Sequence, residues 1–111
     1  LLTQLIVNLL DNAFKYSKNQ TKIHFEIINL NNFIKIKIFN ETEYIDKKKI
    51  KNIFDKFYRF EDTNDISGSG IGLAICKSIV KLHNGDIKAI PEHNGILIEI
   101  ELPMVKRANL L

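Results

Sequence analysis

The stretch Gly68-Ser69-Gly70-Ile71-Gly72-Leu73-Ala74-Ile75 is a glycine-rich turn that runs directly into an apolar helical register. Three glycines at alternate positions admit positive φ without strain and clear side chains away from the backbone amides. Amides bared at a helix start attract phosphate, so the turn points to a nucleotide. The spacing is not that of a dinucleotide fold, where G-x-G-x-x-G would need a glycine in place of Leu73. No Gly-Lys-Ser/Thr follows the turn, which excludes a P-loop.

Working outward, the register after the glycines carries Ile75, Cys76, Ile79, Val80 and Leu82, and Asn84-Gly85 supplies a left-handed exit. A short strand is expected over Asp86 to Ile90, a turn over Pro91 to Gly95, and a second strand where Ile96, Ile98, Ile100 and Leu102 alternate up to Pro103. Before the glycines, Glu61 to Ser67 reads as a polar loop. It is preceded by a helix capped by Asp46 and carrying Ile50, Ile53, Phe54 and Phe57 at helical spacing. Earlier still, Lys22 to Leu30 and Phe33 to Phe39 alternate as two antiparallel strands joined at Asn31-Asn32.

The chain opens with Leu2, Leu5, Ile6, Leu9, Leu10 and Ala13 at three- and four-residue steps, an amphipathic helix reaching Phe14. Asn8, Asn12 and Lys15 stand at i, i+4 and i+7, so two amides and an ammonium share another stripe and can converge on one ligand. The order of elements predicts an α+β fold: a two-layer sandwich with helices on one face of a mixed, mainly antiparallel sheet.

The 111 residues, 45% apolar and 26% charged, suit one globular domain, expected over residues 1–105 with a tail at 106–111. The net charge of +3 is modest, and its lysines are dispersed apart from Lys47-Lys48-Lys49. That argues for solvated surface and against a nucleic-acid partner. Cys76 is the sole cysteine, so no disulfide forms within the chain and a reducing compartment is expected. His24, His83 and His93 lack partners at metal-ligand spacing. No apolar run approaches the ~20 residues of a membrane span, and direct membrane contact is not expected. The start in mid-register, without a cap, suggests an N-terminally truncated piece.

Asn8 to Ser17 (NLLDNAFKYS), Ile53 to Arg59 (IFDKFYR) and Gly68 to Gly85 (GSGIGLAICKSIVKLHNG) occur together and in order. With the closing Leu102-Pro103 they resemble the catalytic ATP-binding domain of bacterial two-component sensor histidine kinases, whose fold is shared with gyrase, Hsp90 and MutL. The resemblance implies ATP and Mg2+ as cofactors, with Asn12 offering its side-chain oxygen to the metal. It implies catalytic roles for Asn8 and Lys15, the first near the γ-phosphate and the second on phosphate oxygens. An amide at position 8, where gyrase-like relatives carry glutamate, cannot serve as a strong base, which favours transfer over hydrolysis. Tyr16 would lie beside the adenine, Phe57 would anchor the loop, and Tyr58 and Arg59 would complete that box, the guanidinium approaching phosphate. Gly68, Gly70, Ile71, Gly72 and Leu73 would form the lid and the phosphate-facing turn.

The family's first glycine box, D-x-G-x-G-I, corresponds to Asn40-Glu41-Thr42-Glu43-Tyr44-Ile45, so both glycines are replaced and Asn40 stands for the adenine-binding aspartate. Asn40 and Ile45 are its expected ATP contacts, the former through its amide oxygen. Ile96 stands where the wider family often has a threonine hydroxyl. With the short acidic lid Phe60 to Ser67, these departures predict weak nucleotide affinity.

The resemblance further implies a histidine kinase that presents the γ-phosphate to a phosphoacceptor histidine on a separate dimerisation domain, with a response regulator as partner. The isolated fragment is expected to be inactive alone. Its location is expected to be cytoplasmic, the parent protein being either free or anchored in the cell membrane. The alternative is a degenerate nucleotide-binding module that acts as an interaction scaffold.

Overall fold

The computed structural model describes residues 1–17, 20–42, 53–54 and 72–104. These form α1 (Leu2–Tyr16), β1 (Ile23–Asn29), β2 (Phe33–Glu41), α2 (Gly72–Leu82), β3 (Asp86–Glu92) and β4 (Gly95–Pro103). The helix expected from Asp46 and the loop Glu61 to Ser67 lie outside the described residues. The strands form one sheet in the order β1-β2-β4-β3, and each of the three pairings is antiparallel. Both helices lie on one face, α1 over β2 and α2 over β3, which gives the expected two-layer α+β sandwich.

α1 forms because its apolar residues fall on one stripe and neither glycine nor proline interrupts it. Leu5, Leu9 and Ala13 are its buried positions. Asp11 stands one turn before Lys15 and pairs with it at 3.3 Å, the favourable order for such a pair. The helix stops where Ser17 turns extended (ψ 145°), its amide donating to the Ala13 carbonyl at 3.0 Å.

α2 ends in a Schellman motif. The Gly85 amide donates to the Val80 carbonyl at 2.9 Å, the Asn84 amide donates to Lys81 at 3.0 Å, and Asn84 takes the left-handed turn at φ 59°. Gly85 is required for another reason: a Cβ there would collide with the Glu101 carbonyl oxygen and crowd Leu102.

Strand periodicity sorts the sheet into two faces. Ile36, Ile38, Ile87, Ile96, Ile98, Ile100 and Leu102 meet Leu5, Leu9, Leu73, Cys76, Ile79 and Val80 of the helices in one core, which Ile53 joins. The Cys76 sulfur lies 3.9 Å from the Leu5 carbonyl, and burial pushes its thiol up to about 12. The other face carries charge. Glu99, nearly buried, is reached by Lys88 at 3.6 Å, Lys35 at 3.8 Å and Lys37 at 4.0 Å.

Three elements run two residues past the sequence reading, the first being α1, which ends at Tyr16 and not Phe14. β3 continues through Pro91 to Glu92, because among the described residues β3 is an edge strand paired only with β4, and a proline there can turn its missing amide outward. β2 extends two residues past Phe39, to Glu41, with no glycine to interrupt it. Asn40 therefore sits within the sheet. Among the described residues, no helix is long and apolar enough to cross a membrane.

Candidate functional site

Asn8, Asn12 and Lys15 project from one flank of α1, beside the stripe that Leu5, Leu9 and Ala13 bury. All three are half-buried, as is Tyr16. Because Cys76 touches the backbone of Leu5, the first turns of α2 lie alongside the turn of α1 that leads to Asn8. Gly72 opens α2, and a Cβ built there would meet nothing within 4 Å, so the helix start faces open space. Leu73 follows it, with a side chain that belongs to the core at 7% exposure, so what it offers a ligand is its backbone.

Asn40 comes from the layer below. Its position on β2 is even with Ile36 and Ile38, so it points to the helix side of the sheet, under α1. It is 2% exposed, between the register partners Ile23 on β1 and Ile96 on β4. Among the described residues, two buried side-chain amide nitrogens have no hydrogen-bond partner, Nδ2 of Asn8 and Nδ2 of Asn40. Each such donor costs about 1–3 kcal/mol when unpaired, so an acceptor brought from outside would be strongly favoured at both places. The two amides that the sequence places at opposite ends of one ligand are thus the two left unsatisfied by the fold.

Lys15 is less free than the spacing implied, since Asp11 holds its ammonium, though both side chains remain partly exposed. Ile45, Phe57, Tyr58, Arg59, Gly68, Gly70 and Ile71 lie outside the described residues. Among those described, no cluster of three or more His, Cys, Asp or Glu could hold a metal, so a cation here would need amide, water or ligand oxygens. Sequence reasoning missed one feature around the site. Gly95 lies so close to Asn40 that a Cβ would strike its carbonyl oxygen, and the Thr42 amide donates to the Asn94 carbonyl at 3.1 Å. The β3–β4 hairpin therefore fixes the backbone on both sides of Glu41, a constraint visible in sequence only as a lone Gly95 after His93-Asn94.

Residues 1–106 match the family described as histidine kinase-, DNA gyrase B- and HSP90-like ATPase. Sensor protein KdpD of Clostridium acetobutylicum is 39% identical over 99 residues, covering 86% of this chain and 11% of that protein. Sensor protein kinase WalK of Staphylococcus haemolyticus is 39% identical over 107 residues, covering 92% of this chain and 18% of that protein. The chain thus spans well under a third of the relatives it matches. Among solved structures, a mycobacterial sensor histidine kinase, MprB, superposes with a TM-score of 0.76 at 26% identity, covering 90% of this chain and 68% of that one. These matches do not favour the interaction-scaffold alternative. The chain belongs to the histidine kinase-, DNA gyrase B- and HSP90-like ATPase family, as an ATP-binding catalytic domain of the sensor histidine kinase type.

Proposed function

We propose that this domain binds ATP with Mg2+ between α1 and the start of α2, and presents the γ-phosphate to a histidine on a separate dimerisation domain. The observation that supports this most is the pair of buried, unpartnered amides, Asn8 on the helix layer and Asn40 on the sheet layer beneath it. A metal bound there would neutralise phosphate charge and align the β- and γ-oxygens. Asn12 offers it an amide oxygen, and Lys15 turns from Asp11 to phosphate. Asn8 donates Nδ2–H near the γ-phosphate, while the free backbone amides at the start of α2 face the same oxygens. Tyr16 and Asn40 serve the base. Ile45, Phe57, Tyr58, Arg59, Gly68, Gly70 and Ile71 complete the site on the family pattern.

In the transfer, an imidazole nitrogen of the acceptor histidine bonds to the γ-phosphorus as the bond to the β–γ bridging oxygen breaks. The electron pair leaves on ADP. Asn8, an amide, does not deprotonate water, so the site favours transfer over hydrolysis. None of the chain's histidines has the flanking pattern of a phosphoacceptor, so the chain alone is expected to bind without turning over. A response regulator would take the phosphoryl group from the dimerisation domain.

Calorimetry with ATP and magnesium, followed by transfer to an added dimerisation domain, tests the reading. Binding weaker than submicromolar, with label appearing on the acceptor histidine, is expected. Steady phosphate release by the chain alone, or no binding at millimolar ATP, would contradict it.

A further inference from the structure

Asn40 does more than stand in for an aspartate. Its backbone is fixed between β1 and β4, opposite Ile23 and Ile96, and by the close approach of Gly95. The side chain is 2% exposed, and Nδ2 carries hydrogens that no group among the described residues accepts. Ile96 offers hydrocarbon where a hydroxyl would accept or donate. The base-reading end of the proposed site therefore contains a fixed amide with an unsatisfied donor.

A carboxylate and an amide read a purine edge differently. A carboxylate only accepts, so it pairs with the adenine amino group and repels a keto oxygen in the same place. An amide presents one donor and one acceptor, and a half-turn about its terminal bond exchanges them. Against adenine, Oδ1 accepts from the N6 amino group while Nδ2–H donates to N1. Against a 6-oxopurine, Nδ2–H donates to O6 while Oδ1 accepts from N1–H. Both pairings satisfy the Nδ2 that the fold leaves free.

We propose that Asn40 sets a relaxed base selectivity, so that the site takes 6-oxopurine nucleoside triphosphates alongside ATP. The proposal rests on the nucleotide reading above and concerns only which base the site accepts. With aspartate at position 40 no donor would be left, so O6 of a 6-oxopurine and N1 of adenine would each meet acceptor against acceptor, and each missed hydrogen bond to a buried group weakens binding roughly five- to 150-fold.

The test is a calorimetric titration of the full 111-residue chain with magnesium and, in turn, ATP, ITP, GTP and UTP. ITP carries the 6-oxo group without the 2-amino group of GTP, and it is expected to bind within about tenfold of ATP, with UTP clearly weaker. Asn40→Asp, which leaves each base one of its two hydrogen bonds, is expected to weaken ATP and ITP alike, by about fivefold or more. If that variant does not fold, Asn40→Leu must weaken ATP and ITP alike. ATP binding with ITP weaker by about 100-fold would overturn the proposal and leave the ATP reading intact. Equal binding of UTP would overturn it as well, because the base would then not be read. Failure of every nucleotide to bind would overturn both.

Discussion

Glu99 and Asn40 lie on neighbouring strands and on opposite faces of the same sheet, both close to fully buried, and the fold treats them in opposite ways. Three lysines surround Glu99, so its carboxylate is compensated within the chain. Asn40, like Asn8 on α1, has a donor that no group among the described residues accepts. Native structures rarely leave buried polar groups unpaired, because each costs stability and gives nothing back. On the proposed function, the contrast separates a polar group that holds the fold from polar groups kept for another molecule.

The largest expected effect probes how dry the inner layer is, since only a dry layer makes the unpaired amides costly. Cys76 lies in that layer, and its thiol is held at about 12 against an ordinary value of 9.0. Its thiolate at pH 8 is then about a thousandfold scarcer than in the unfolded chain, and iodoacetamide should label it slower by a similar factor. The sign for stability follows. Below pH 9 both states carry the neutral thiol and the contribution is complete; it is lost as pH rises from 9 toward 12, where only the unfolded state ionises. Labelling at the unfolded rate would show water in the layer and remove the basis of the contrast.

Asn40→Leu sharpens it next. Removing an unpaired amide for a side chain of similar size should raise the stability of the ligand-free chain by about 1 kcal/mol and weaken ATP binding about 30-fold. Thermal unfolding and calorimetry read the two changes, and a loss of stability would mean that Asn40 serves the fold after all. Glu99→Ala should behave in reverse. It leaves Lys37 and Lys88 without this partner while Lys35 keeps Glu101 at 3.6 Å, and should cost about 1 kcal/mol, moderated by their partial exposure, with ATP affinity unchanged. The smallest effect is Asp11→Asn, which frees Lys15. It should cost α1 about 0.3 kcal/mol and tighten ATP binding about two- to threefold.

The elements that sequence made legible are those set by local chemistry. The stripe of Leu5, Leu9 and Ala13, the exit at Asn84-Gly85 and the alternation of Ile96, Ile98 and Ile100 all stand where periodicity and turn chemistry put them. Pro91 misled, because its meaning depends on whether its strand is central or at an edge, and neighbours decide that. The lysines around Glu99 required the register of β2, β3 and β4, which no single strand reveals. For the site, the shared stripe of Asn8, Asn12 and Lys15 was readable from spacing, whereas Asn40 stood out only through the family resemblance, as the odd member of its box. Their unsatisfied nitrogens were not, since the absence of a partner is a property of packing.

The most direct measurement follows the side-chain amide signals of Asn8 and Asn40 in 1H–15N spectra while ATP and magnesium are added. Both signals should move together and saturate at one affinity, as each Nδ2 gains its missing acceptor. Saturable ATP binding that leaves both signals unmoved, or no binding at all, would contradict the account.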